Sequence, residues 1–223
     1  MSKRLYGQVC ALAAALDVVG ERWTLMVARE LIFGPRRYSD LLRELPGLGT
    51  NLLAQRLRDL EQVGLIANRK LPPPAASSVY ELTENGRSTL LPIIRALTNF
   101  GLAYLQYPPV EGYFVPASST MGAMSTFYLP ERAGDLSLLV ELHTKEDVFH
   151  CELEKGQMVS LGFGDVMGAD VVVRGETAVF MALIVGYQTV AEALQRGELW
   201  LEKGDETAVT TFFDLFAGEY ETI

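Results

Sequence analysis

Apolar positions in the first hundred residues recur at helical spacing, in short blocks cut by Gly and Pro. Residues 5–19 place Val9, Leu12, Leu16 and Val19 on one side of a helix that Gly20 ends. Residues 22–33 form a second helix, with Trp23, Val27, Glu30 and Leu31 sharing a face that Met26 and Ile32 widen. Gly34-Pro35 stops it, since Gly accepts left-handed geometry and Pro cannot continue the ladder. Ser39 is placed to cap a third, short helix ending near Leu45, and Pro46-Gly47 breaks it. Thr50 caps a fourth over residues 51–63, in which Leu53, Leu57 and Leu60 form one buried stripe. The pattern then becomes a hairpin, with strands over 65–70 and 79–83. Pro72, Pro73 and Pro74 belong to its tip, because three prolines cannot sit inside a paired strand. Thr83 caps a last helix to about residue 105, which Pro92 bends. Its apolar positions, among them Ile94, Leu97, Phe100 and Leu105, exceed what one small fold buries on one stripe. A partner subunit or a second domain would cover the surplus.

The second half reads differently. Tyr107-Pro108-Pro109 opens a linker over residues 107–116, which divides the chain into domains 1–106 and 117–223. Residues 118–127 form a helix. Residues 136–143, 148–153 and 158–163, joined by turns, make an antiparallel meander. Residues 169–174, with Val171-Val172-Val173, add a strand. Helices over 176–185 and 189–194, a strand over 198–201 and a helix over 207–216 complete an α+β domain with helices over one sheet.

Short helix, break, amphipathic helix and hairpin, in that order, are the parts of a mainly α winged helix-turn-helix with a β-hairpin wing, an arrangement that reaches both a groove and a phosphate backbone of DNA. At about 100° per residue, Asn51, Gln55, Arg58 and Gln62 lie opposite the leucine stripe. Arginine bonds guanine edges, and Asn or Gln bonds adenine. Arg56 flanks this face and suits a phosphate, and Arg36, Arg37 and Thr50 are further candidate DNA contacts. Arg69, Lys70, Ser77 and Ser78 sit on the wing, where they suit phosphate or minor-groove contacts.

Charge sharpens the picture. Residues 1–105 carry 13 Lys+Arg against 9 Asp+Glu, net +4, while residues 106–223 carry 6 against 19, net −13. The overall −9 conceals a basic first half, and polyanions feel the local field. Cys10 and Cys151, with His143 and His150, are too few and too scattered for a disulfide framework or a zinc cluster. The two histidines fall on adjacent strands of one hairpin, lack a nucleophile at readable spacing, and have a structural or solvated role as their default. No Gly-rich phosphate loop precedes a Lys. The expectation is a non-enzymatic protein without cofactor or metal. The start of the chain lacks a signal-peptide pattern, and the longest apolar run, 178–186, is shorter than the roughly 20 residues a spanning helix needs. A soluble, cytoplasmic protein without membrane contact is expected.

Residues 5–105 resemble the HxlR-type winged-helix regulators of bacteria. The matching series is Cys10; Leu16-Asp17-Val18-Val19-Gly20 with Arg22-Trp23-Thr24-Leu25; Gly34-Pro35 with Arg37-Tyr38-Ser39-Asp40-Leu41; Pro46-Gly47; Leu53; Arg56-Leu57-Arg58-Asp59-Leu60-Glu61; Gly64-Leu65-Ile66; and Tyr80-Glu81-Leu82-Thr83 with Gly86-Arg87. Glu21 departs from the Gly or Asp often found before the basic position and Trp. The resemblance implies a homodimer on palindromic operators, with the helix starting at Thr50 in the major groove. Some members sense electrophiles or oxidants through a cysteine matching Cys10. Here its sequence neighbours, Val9 and Ala11, bring no cation, and a buried small hydrophobe competes with the sensor role.

Residues 110–220 resemble the sterol carrier protein type 2 superfamily. The resemblance is carried by the run from Ala169 to Glu176, Met181, Leu183, Gly186, residues 191–194, Gly197-Glu198-Leu199-Trp200-Leu201-Glu202 and Gly204-Asp205. That family often encloses an apolar cavity. Phe127, Leu142, Phe149, Phe163, Phe180, Met181, Ile184, Phe212 and Phe216 would line it, with a solid core as the competing arrangement. Together the two resemblances imply a DNA-binding regulator, most simply a repressor, whose second domain grips an apolar effector or supports dimerisation. The alternative is a hydrophobe carrier whose first domain serves protein interaction.

Overall fold

The computed structural model describes residues 5–72, 77–105 and 113–216, and within them the first helix is shorter than its apolar spacing predicts. Helix α1 is Ala11–Val19. Ahead of it Gly7 takes φ +63° and Cys10 is extended (φ −147°), so no ladder forms there. Tyr6 N–H instead bonds Asp17 Oδ1 at 3.0 Å. Val9 and Leu12, expected on the buried side, are exposed, while Ala13 and Val19 are buried.

Helix α2 is Thr24–Glu30, preceded by Trp23 with φ +78°. Arg36–Arg37 then forms a two-residue strand β1 that pairing rules alone reveal, since it lines up with Tyr80 and Val79. Pairing holds Arg37 extended, so α3 (Tyr38–Glu44) starts after it and Asp40, not Ser39, serves the Arg37 N–H (3.1 Å). Helix α4 is Thr50–Gln62; Gly49 is its cap and Thr50 its first residue. Strands β2 (Ile66–Lys70) and β3 (Ser78–Leu82) form the hairpin, in sheet order β1-β3-β2. Of the proline-rich tip, Pro72 is described; Pro73 and Pro74 lie outside the described residues.

Helix α5 is Glu84–Leu102, capped as expected: Thr83 Oγ1 accepts the Gly86 N–H at 2.9 Å. A Cβ at Gly86 would overlap the Leu65 carbonyl oxygen, so only glycine lets the first turn of α5 lie on the base of the hairpin. Val27, Leu31, Leu41, Leu53, Leu57, Leu60, Ile66 and Leu90 form the core that these elements share.

The chain divides into two units at Tyr104/Leu105, and the second is α+β. It comprises α6 (Ala117–Phe127), α7 (Pro130–Ala133), β4 (Leu138–His143), β5 (Val148–Glu154), β6 (Gln157–Phe163), β7 (Val171–Gly175), α8 (Thr177–Ile184), α9 (Val190–Gln195), β8 (Leu199–Lys203) and α10 (Glu206–Phe213). The sheet order is β6-β5-β4-β7-β8, with β4 and β7 parallel and the other pairs antiparallel. Alternate residues Val140, Leu142, Phe149, Cys151, Leu153, Val171 and Val173 are buried. The expected linker falls mainly outside the described residues; 113–116 are irregular.

Candidate nucleic-acid interface

Leu53, Leu57 and Leu60 turn inward, and this alone decides which side of α4 faces out. Asn51, Gln55, Arg58 and Gln62 are all exposed on the opposite side. They are not independent of one another. Gln55 Nε2 donates to Asp59 Oδ1 at 2.7 Å, and Arg58 donates to Gln55 Oε1 at 2.9 Å. Thr50 is exposed at the start of the helix, and its carbonyl accepts the Tyr38 hydroxyl at 2.6 Å. Arg37 is exposed beside it.

Two of the expected contact residues are not available. Arg36 is 4% exposed, because the pairing of β1 with β3 turns its side chain inward, within 4.0 Å of the buried Glu44. Arg56 is 9% exposed. Its guanidinium meets Glu21 at 3.0 Å, Asp59 at 3.2 Å and the Arg22 carbonyl at 3.1 Å. Both cations are buried against their own unit's carboxylates, where they serve the fold. Glu21, 35 residues from Arg56, is a partner that no local spacing could reveal.

On the wing, Arg69 pairs across the strands with Glu81 at 3.1 Å. The hydrogen bond it donates to that carboxylate, and then the carboxylate's charge, hold the guanidinium above its ordinary pKa. The pair is half-exposed, where water screens it, so Arg69 remains free to exchange partners. Lys70 and Ser78 are exposed and Ser77 is half-buried.

The first unit matches the HxlR-like helix-turn-helix family over residues 18–108. An uncharacterized HTH-type transcriptional regulator of Synechocystis sp. is 37% identical over 106 residues, which is 47% of this chain and 77% of that protein. The chain belongs to the HxlR-like helix-turn-helix family. A second member, an uncharacterized HTH-type transcriptional regulator of Mycobacterium tuberculosis, is 39% identical over 108 residues, covering 48% of this chain and 66% of its own length. Among solved structures, the redox regulator HypR in its oxidized form gives a TM-score of 0.41 at 28% identity, over 44% of this chain and 99% of that one. The family match ends near the boundary between the units, so it describes the first of them.

Cys10 is exposed rather than buried, lying just before α1 because the helix starts after it. Cys151 is buried in β5, where loss of solvent, and then the charge of Glu152, push its pKa up to about 12.

In the second unit, Leu142, Phe149, Phe180, Ile184, Phe212 and Phe216 are buried, while Phe127, Phe163 and Met181 are half-buried. Phe149, Phe180, Phe212 and Phe216 meet phenylalanine or tyrosine neighbours directly. Phe149–Phe180 centroids lie 5.9 Å apart edge-on, Phe180–Phe213 6.5 Å, Phe212–Phe216 5.4 Å and Tyr128–Phe216 5.9 Å. At these separations the paired rings are in direct contact with each other. A hollow of about 370 Å³ lies elsewhere, at a sheet end beside Ser137, Glu152, Glu154 and Asp170.

His143 and His150 do not pair with each other. His143 Nε2 donates to Glu141 at 2.6 Å, while His150 donates through Nδ1 to the Gly164 carbonyl at 3.0 Å and meets Ser160 Oγ at 3.1 Å. Among the described residues, no group of three His, Cys, Asp or Glu side chains is arranged to hold a metal ion. Nor is any described helix long and apolar enough to cross a membrane.

Proposed function

We propose that this chain is a homodimeric, sequence-specific DNA-binding repressor that reads a palindromic operator with α4. The observation that carries the reading is the exposed row Asn51, Gln55, Arg58 and Gln62 on a helix whose other side is locked into the core. Those side chains match base edges, with α4 in the major groove. Arg37 and Thr50 at the starts of α3 and α4, with Arg69, Lys70 and Ser78 on the wing, supply backbone contacts; the Ser77 hydroxyl is buried and would have to turn outward to join them. Family members named as transcriptional regulators, and the net +4 of the first 105 residues, support the same reading.

A dimer is supported by the exposed apolar side chains of the first unit. Leu97 and Phe100 lie on α5 with Tyr104 just beyond its end, and Leu5, Val9 and Leu12 are exposed near the start of the chain. Twofold pairing would set the two α4 helices about 34–36 Å apart, one turn of DNA.

The second unit, which we assign to the sterol carrier protein type 2 superfamily, serves regulation rather than catalysis. Its acidic surface keeps it off DNA. An apolar effector would enter by parting the packed rings, and its influence would equal its difference in affinity for the two spacings of the reading heads.

Titration of the full chain against the DNA upstream of its own gene, at several salt concentrations, tests the reading. Arg58→Ala is expected to cost about tenfold in specific affinity. An unaltered affinity would overturn the assignment of α4.

A further inference from the structure

Asp59 stands at the centre of a run of side chains along α4. Its Oδ1 accepts from Gln55 Nε2 at 2.7 Å and its Oδ2 from Arg56 at 3.2 Å. Gln55 Oε1 then accepts from Arg58 at 2.9 Å. On the other side Arg56 is anchored by Glu21 at 3.0 Å and the Arg22 carbonyl at 3.1 Å, both in the turn between α1 and α2. The Asp59 carboxylate is three-quarters buried, whereas Gln55 and Arg58 are exposed.

The chemistry of these groups leaves one arrangement. A primary amide can present its donor and acceptor ends either way round. Ionised Asp59 only accepts, so it takes the NH₂ end of Gln55. Arg58 only donates, so it takes the oxygen. A flipped amide would set donor against donor and acceptor against acceptor. Both exposed side chains are therefore held in one pattern before any ligand arrives, which spares the ordering cost of binding. A carboxylate beside phosphates lowers affinity for every polyanion alike. Its contact with Arg56 serves the fold; its contact with the exposed Gln55 is the one that bears on discrimination.

We propose that Asp59 is a positioning residue for base readout, fixing the Gln55 amide and through it the Arg58 guanidinium, while Arg56 ties it to the α1–α2 turn. This rests on the reading of α4 as the base-reading helix.

The test is selection from a library of random DNA duplexes by the full chain, followed by titration with the selected and a scrambled duplex. The wild type is expected to select a consensus. Asp59→Ala should lose about tenfold discrimination at the positions that Arg58→Ala also loosens, with equal or higher affinity for scrambled DNA. In a Gln55→Ala chain, whose exposed substitution leaves the fold intact, Asp59→Ala should change the consensus no further. The role of Asp59 is overturned if Asp59→Ala keeps the wild-type preference while binding every duplex more tightly, which would mean simple repulsion, or if it loosens the consensus equally in the Gln55→Ala chain. A wild-type chain that selects no consensus overturns the reading of α4 itself, and the proposal with it.

Discussion

The hydroxyl of Tyr38, the first residue of α3, donates to the backbone carbonyl of Thr50, the first residue of α4, across 2.6 Å. The bond spans the Pro46-Gly47 break and ties the starts of the two helices together. The Tyr38 ring also packs against the core of the first unit. Tyr38→Phe keeps the ring and deletes the bond. It is expected to lower stability by about 0.5–1.5 kcal/mol in denaturant unfolding. It should also weaken specific DNA binding more than binding to scrambled DNA, because the first turn of α4 gains freedom. Equal losses on both duplexes would leave the bond a purely structural role.

The two cysteines differ in environment, and alkylation should separate them. Cys10 is exposed, whereas Cys151 is buried with its thiol pushed up to about 12. Only the thiolate attacks an alkylating reagent. Iodoacetamide applied to the native chain is expected to label Cys10 alone by mass spectrometry, with Cys151 reacting only after denaturation. Native labelling of Cys151 would mean that β5 opens readily.

The parts of this fold that sequence made legible are those governed by local periodicity. The stripe Leu53, Leu57, Leu60 located α4 and its outer face, Thr83 located the start of α5, and alternation located the meander of β4, β5 and β6. What stayed hidden depends on partners far along the chain. Arg36 and Arg56 look like surface cations until β3 and Glu21 arrive to enclose them. Glu141 alternates as a surface residue, yet is 5% exposed and bonded by the N–H of Val166 from a loop 25 residues on. In α1 the apolar spacing was real, but the backbone at Gly7 and Cys10 cancelled the helix that would have used it.

Glu141 gives the second unit a predictable response to acid. Burial raises its pKa, but the hydrogen bonds from His143 and the Val166 N–H, with the charges of His143 and His150, more than offset this and hold the carboxyl below its ordinary range. A depressed folded value contributes stability above the unfolded pKa and loses it as pH falls through the folded one. Glu141→Gln should therefore be less stable than the wild type at neutral pH. The difference should close as the pH drops from roughly 5 towards 3. Thermal unfolding across that range checks it; a constant difference would show that the charge of Glu141 contributes nothing.

The apolar stripe at the end of α5 should decide the state of assembly. Leu97, Phe100 and Tyr104 are 50%, 67% and 72% exposed, and the rings of Phe100 and Tyr104 meet at 5.2 Å. None of them belongs to the core of its own unit. A charge placed there costs the folded monomer little, within about 0.5 kcal/mol, but in a twofold interface it would be buried twice, against its own copy. Phe100→Glu is thus expected to keep the wild-type unfolding midpoint while light scattering falls from the mass of two chains to the 24.6 kDa of one. With one reading head per molecule, affinity for a palindromic site should fall by more than about tenfold while affinity for a half-site is retained. A Phe100→Glu chain that still scatters as two copies would place the interface away from this helix.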